Sequence, residues 1–420
     1  MIDKLKGFNL ENLVWYLVVP YVLVDALSGF FVQQIGINLR LSQGLKVIIY
    51  LLFMSYILKN NRHVFFSLTC FLFLFLINPI AMVFTGNSIN AISFDFPALL
   101  RINIIVTATA FCIILAHKKP FFFQKKVRLT FYFSFIIVCI NVLSGYFGVG
   151  FFSYPSEKFG FKGFFFAGNE LSALFILLSS FVLFNIWKIR GFSFKYVIAS
   201  CLSLVVGLSI GTKAGAIFSF VSPVFIPLAI SISKITYSKA LFRIIMGILT
   251  IVILALVLFS FIKESPMFER ITYIFQTKGI LGVIFSDRNI FVEDFIDRID
   301  DTLGFYPLLF GAGSGVTQYQ FKTIEVDFFD VAMYFGFPLA ILCMLLSLVS
   351  IIAPLILLRK RPYAPLVLIV NIFLFFLASI AGHVWTSGML GVAWGALNGL
   401  LFVRFSSLYM SRSEALYKYR

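Results

Sequence analysis

The sequence predicts an all-α polytopic membrane protein of about twelve transmembrane helices with one large extramembrane loop, and three observations carry that expectation. Only 12% of the residues are charged and 60% are hydrophobic, whereas charged residues make up about a quarter of a soluble domain. The mean hydropathy is +1.00. The apolar residues also fall in runs of about twenty, the length a helix needs to cross the hydrocarbon core. One long stretch departs from that pattern: Glu264 to Phe328 is polar, punctuated by glycines, and holds ten of the eighteen carboxylates.

In order, the runs place spans near 13–33, 44–58, 64–84, 99–116, 129–148, 168–187, 196–212, 214–233, 244–263, 329–358, 365–384 and 387–403. The chain therefore divides into residues 1–263 with nine spans, the loop 264–328, and residues 329–420 with three spans and a tail. The first run is too long for the apolar core of a signal peptide and reads as a first span. A net charge of +16 does not point to nucleic acid, because the basic residues sit in short clusters between apolar runs. Twenty-two of the 34 fall on one set of alternating connections, from Lys4 and Lys6 through the Lys118–Arg128 cluster to Arg404 and Arg420. The excess of Lys and Arg on cytoplasmic loops then puts both termini in the cytoplasm and the acidic loop outside. The five cysteines lie inside the apolar runs without ligand spacing and read as small packing groups.

The outward connections are where chemistry is expected. Lys213 is the only charge between Tyr196 and Ser233, in the predicted tight turn Gly211-Thr212-Lys213-Ala214-Gly215. It either snorkels to lipid headgroups or presents a cation to a lipid phosphate. Gly168-Asn169-Glu170 opens the sixth span; Asn169 suits an N-cap and Glu170 the helix dipole. Gly382-His383 marks a short outer loop, with His383 the one outward histidine, suited to packing or to proton transfer. Asp25 lies well inside the first span, where an ionisable group usually faces the protein or a cavity. Arg40 and Arg101 stand at the outer face, as interfacial anchors or as the lining of an access path.

Within the loop, Ile290, Phe291, Phe295, Ile296, Ile299 and Leu303 alternate with acids as in an amphipathic helix lying on the bundle or the membrane surface. The acidic stripe is a solvated face or, alternatively, a divalent-cation site, without the order of an EF-hand. Leu309-Phe310-Gly311-Ala312-Gly313-Ser314-Gly315 matches no nucleotide loop; such a turn approaches a substrate closely or reverses the chain. Glu325-Val326-Asp327 precedes the tenth span, and if extended it points both carboxylates the same way.

In this order the motifs resemble the O-antigen polymerase (Wzy) group within the O-antigen polymerase and ligase superfamily. The likeness rests on Gly168-Asn169-Glu170, Gly211 to Gly215, Ser286-Asp287-Arg288, Leu309 to Gly313 with Glu325 to Asp327, and Gly382-His383, between about residues 148 and 400. Lys213 stands where many relatives have Arg, and Glu325 where ligases typically have His, which favours a polymerase.

The resemblance implies a metal-independent glycosyltransferase of the membrane-embedded class C type, without cofactor, in the bacterial inner membrane with its large loop in the periplasm. It implies transfer of a growing glycan from undecaprenyl pyrophosphate to the next lipid-linked repeat unit. A departing pyrophosphate needs fixed positive charge, so Arg288 and Lys213 are the expected pyrophosphate contacts. The acceptor hydroxyl needs a base, for which Glu325 comes first and Asp327 second. Asn169, Glu170, His383 and Arg101 are the expected substrate-binding or supporting residues. Membrane lipid, a chain-length regulator and a flippase are the expected partners, with no nucleic acid. A lipid-linked oligosaccharide flippase, another transporter or an O-antigen ligase is the alternative; a transporter would show matching halves and charges at mid-membrane.

Overall fold

The computed structural model describes residues 9–84, 89–155, 158–233, 242, 245, 266–286, 288–298, 305–313 and 324–404. The predicted span 244–263 apart from Ile245, the predicted amphipathic positions Ile299 and Leu303, and the loop carboxylates Glu264, Asp287, Asp300 and Asp301 lie outside them.

The chain folds as a helical bundle: α1 (Leu10–Val18), α2 (Tyr21–Phe30), α3 (Leu41–Asn60), α4 (Arg62–Phe84), α5 (Ile89–Lys118), α6 (Pro120–Leu143), α7 (Gly168–Arg190), α8 (Phe194–Ile210) and α9 (Lys213–Ile232). After these come α10 (Pro266–Phe285), α11 (Arg288–Arg298), α12 (Phe305–Phe310), α13 (Asp327–Phe335), α14 (Phe337–Ile356), α15 (Ala364–Ile380) and α16 (Leu390–Leu400). Among the described residues, seven helices are long and apolar enough to cross a membrane, or eight if α1 and α2, bent by 41°, form one span. α8, α15 and α16 are apolar but shorter. The membrane-spanning character of the chain follows; twelve full-length crossings do not.

Two predicted spans are broken, each at a residue that ends a helix. Pro20 separates α1 from α2, since proline removes a helix donor and clashes with the preceding turn. The long run 329–358 is cut at Gly336, whose φ of 91° and ψ of 160° lie outside the helix region. A Cβ there would strike the carbonyl of Leu309, so the glycine admits the loop against the bundle. Ala312 N–H also donates to Met333 O at 2.8 Å. The Gly311–Gly313 turn thus lies against a helix end, and Ser314-Gly315 lies outside the described residues. The crossing segment is Phe337–Ile356, and α13 stands outside it.

The Phe- and Gly-rich segment before α7 is an antiparallel hairpin, β1 (Phe151–Tyr154) with β2 (Phe159–Gly163), so the fold is helical with one small sheet. The hairpin seats on the α8–α9 turn: Ser153 Oγ donates to Ile210 O at 2.7 Å, and a Cβ at Gly211 would lie 2.6 Å from Gly160 Cα.

α7 is the central helix, with 78% of its apolar window buried. Between α5 and α16 the contact is made through Gly391, Gly395 and Gly399, which face Ile104, Ala108 and Cys112. Small residues four apart let two backbones approach where no water is available to drive association. Asn371 ties the same end of the bundle, donating to Ser350 O at 2.7 Å and Asn398 Oδ1 at 2.8 Å and accepting from Trp394 Nε1 at 2.6 Å.

The loop is not uniformly polar. α10 carries exposed Tyr273, Phe275, Ile280 and Leu281 and kinks at Gly279. In α11, Phe295 is buried against Ile324, Val326 and Met333, with Phe291 and Val292 packed on the same cluster, while Ile290 and Ile296 are exposed.

Candidate functional site

The candidate site forms where loop residues meet the ends of α7, α9 and the segment before α16. Gly211 ends α8 in the left-handed region, and the Thr212 hydroxyl caps α9 by accepting from Gly215 N–H at 3.0 Å. The tight turn predicted from the sequence is thus present, and it fixes Lys213 as the first residue of α9. Lys213 Nζ donates to the carbonyl of Val283 and, at 2.8 Å, to Ser286 Oγ. Ser286 ends α10, and two residues later Arg288 opens α11. Its guanidinium donates to Phe285 O at 3.2 Å and pairs with Glu325 Oε2 at 2.6 Å. Lys213, Arg288 and Glu325, separate in sequence, are therefore assembled as one cluster. The Arg288 side chain is largely enclosed, while that of Glu325 is 36% exposed.

Glu325 and Asp327 do not point the same way. Glu325 has φ of 60°, and Asp327 is already in the first turn of α13. The Asp327 carboxylate is buried and accepts from Val384 N–H at 2.8 Å, Trp385 N–H at 3.0 Å and Thr386 Oγ1 at 3.3 Å. Asp330, buried beside it, accepts from Ile324 N–H at 3.1 Å and Glu325 N–H at 3.3 Å. Burial, and then the neighbouring Asp327 charge, push Asp330 up to about 8. Burial likewise raises Asp327 above the usual carboxylate range. Gly382 lies against the Glu325 carbonyl so closely that a Cβ would collide with it. Ser286, Glu325 and His383 are three of the five non-glycine residues with positive φ among the described residues. Such backbone strain persists only where surrounding structure holds it, and it gathers at functional sites.

A second group of charges surrounds a cavity of about 740 Å³ between α3, α5, α7 and the start of α16. Arg40, Lys46, Arg101, Asp25 and Glu170 all line it. Lys46 pairs with Asp25 at 2.6 Å, and Ser42 also donates to that carboxylate. Glu170 Oε2 accepts from Ser387 Oγ at 3.0 Å and Gly388 N–H at 2.9 Å, while Arg101 Nη1 donates to Thr386 O at 3.3 Å. Arg40, which is exposed, and Arg101 both line this cavity. Asn169 is not the N-cap; α7 begins at Gly168 with Ala167 as its cap, and Asn169 sits half-buried in the first turn.

The segment between α15 and α16 joins the two groups, with Val384 to Thr386 on Asp327 and Thr386 to Gly388 on Arg101 and Glu170. Two of its supports were missed from the sequence. Lys46 was passed over inside the predicted span 44–58, although a lysine six residues after Arg40 and facing Asp25 was the available signal. Asp330 was absorbed into the predicted span 329–358, and nothing local distinguished it. Among the described residues, no three His, Cys, Asp or Glu side chains are grouped to hold a metal ion.

A family profile described as "O-antigen ligase like membrane protein" matches residues 8–280. The matched region contains Arg101, Asn169, Glu170 and Lys213 and stops short of Arg288, Glu325, Asp327 and His383. No curated protein and no solved structure matches the chain. A match over well more than half its length, on a bundle of apolar helices with charges gathered at their ends, means that the chain belongs to the O-antigen ligase like membrane protein family, with a role in handling O-antigen or related surface polysaccharide at a membrane.

Proposed function

We propose that the protein is a polysaccharide polymerase of the bacterial inner membrane, moving a growing glycan from undecaprenyl pyrophosphate to a hydroxyl of the next lipid-linked repeat unit. The observation that carries this reading is the Arg288–Glu325 pair at 2.6 Å, with Lys213 held beside it through Ser286. It joins cations suited to a pyrophosphate leaving group to a carboxylate suited to an acceptor hydroxyl. In the transfer, the bond from the donor sugar C1 to the phosphate oxygen breaks and the pyrophosphate leaves with the electron pair. The acceptor oxygen bonds to C1, and its proton passes to Glu325. Arg288 grips the phosphate oxygens in bidentate fashion, and fixed cations where charge develops lower the barrier. The arriving pyrophosphate competes with Glu325 for Arg288, so the carboxylate is released as a base when donor is bound. Asp327 then serves as a positioning residue, because all of its described contacts are to the segment behind the site. A chain-length regulator and a flippase fit as partners of such an enzyme.

The test uses purified protein in liposomes with a synthetic undecaprenyl-pyrophosphate repeat unit. A ladder of longer lipid-linked glycans, lost in Arg288→Ala and Glu325→Ala, is expected. A ladder that survives both substitutions overturns the site. Absence of a ladder with transfer of the glycan to a non-repeat acceptor would make the protein a ligase. Lipid crossing the bilayer without transfer would make it a flippase.

A further inference from the structure

We infer that the cavity around Gly388 binds the pyrophosphate of the acceptor, a second polyprenyl-linked molecule held apart from the donor; this rests on the transfer reaction proposed above. A Cβ placed on Gly388 would lie 3.6 Å from Arg101 Nε, 3.6 Å from Lys46 Nζ and 3.8 Å from Glu170 Oε2. Two cations and the Glu170 carboxylate thus converge beside Gly388, and Arg40 lines the same space. Lys46 is compensated by Asp25 and Glu170 faces the same point, so the three cations of the lining exceed its two carboxylates by one, and that excess is what meets an anion. The lining also holds the apolar Val47, Phe96, Leu100, Ile104 and Phe165. Phe96 at 47% exposure and Phe166 at 52% also reach the surface of the bundle. A space lined by both cations and apolar residues fits an anionic headgroup carrying a long hydrocarbon tail.

The lining does not include Lys213, Arg288 or Glu325, so the cavity is distinct from the catalytic cluster. Thr386 touches both, its hydroxyl donating to Asp327 and its carbonyl accepting from Arg101. An acceptor anchored in the cavity is therefore tethered to the backbone that supports Glu325. A polymerase must hold two molecules with the same anionic anchor at once, whereas a ligase needs such a site for its donor alone.

The experiment counts bound undecaprenyl pyrophosphate by native mass spectrometry of the protein in nanodiscs of phosphatidylethanolamine. Wild type is expected to hold two copies, and Gly388→Leu one. The milder Lys46→Gln with Arg101→Gln is also expected to hold one, and Arg288→Ala added to it none. The same double variant should raise KM for the acceptor roughly tenfold or more with little change in kcat, as lost binding that is common to ground and transition states requires. Two copies in both cavity variants, or displacement of one copy by an equal amount of phosphatidylglycerol, overturns the assignment; the latter would make the cavity a general anionic-lipid site. A single copy that depends on Arg288 alone overturns it while leaving the transfer reaction standing. No copy in wild type overturns both.

Discussion

Glu325 and Asp327 are two residues apart and end in different surroundings, because Val326 separates a left-handed residue from the first turn of a helix. The exposed carboxylate meets Arg288, and the buried one holds the chain at Val384 to Thr386. Replacing Arg288 by Lys keeps the charge and loses the planar fork, so transfer should fall by about 10²-fold or more, read as the initial rate of ladder growth. Asp327→Ala leaves two backbone donors and a hydroxyl unsatisfied in a buried place, each worth about 1–3 kcal/mol. A clear drop in thermal unfolding temperature in detergent is expected, and Asp327→Asn should recover part of it; an unchanged transition would rule out the anchoring role. Asp330 supplies a pH test. Its folded-state pKa is raised from 3.8 to about 8, so the protonated form is favoured by folding. That contribution is complete below about 4 and is lost as pH rises through about 8. Stability should therefore decline on the alkaline side, and Asp330→Asn should flatten the decline, as followed by unfolding temperature between pH 5 and pH 9.

At the scale of elements, the glycine stripe on α16 sets how deeply Arg101 enters the site. Gly395 faces Ala108 so closely that an added Cβ would lie 2.5 Å from that side chain, and α5 bears Arg101 two turns away on the same helix. Gly395→Val should push the helices apart, lower the unfolding temperature and reduce activity, whereas the same change at Gly44, an exposed position of α3 where a Cβ meets nothing within 4 Å, removes no helix contact. Equal effects at the two positions would count against the stripe. The breaks at Pro20 and Gly336 act differently: they turn apolar runs of span length into a bent helix and into a short helix followed by a crossing one. In the second case the break keeps Asp327 and Asp330 outside the crossing segment, where they can accept hydrogen bonds from the loop.

Across the whole molecule, the ends of α3, α5, α7 and α9 that carry Lys46, Arg101, Glu170 and Lys213 all meet the loop or the segment before α16 on one face. We propose, from the distribution of Lys and Arg, that this face is the outer one. In a variant lacking the five native cysteines, Ile296→Cys should react with a membrane-impermeant maleimide added to intact spheroplasts, and a cysteine replacing Lys59 should react only after the membrane is opened. The reverse pattern would invert the orientation.

Much of this was legible beforehand for a physical reason. Residue hydropathy and run length are properties of the chain alone, so the membrane class and the Gly211–Gly215 turn could be read directly, whereas the breaks at Pro20 and Gly336 inside span-length runs were not. Lys213, Arg288 and Glu325 could also be read as candidates, since cations and carboxylates stand out against an apolar background. Their pairing could not, because Arg288 meets Glu325 across a 37-residue separation and no local pattern records such contacts. The same holds for the cavity: Lys46, Arg101 and Glu170 come from three helices and converge beside Gly388. Composition and periodicity by themselves determined that this chain is a bundle of membrane helices with polar chemistry outside it. Only the tertiary structure decided that Asp327 is a strut and Glu325 is the exposed carboxylate. Only it showed two separate charged sites, because distances between remote segments depend on how the helices pack and not on any one of them.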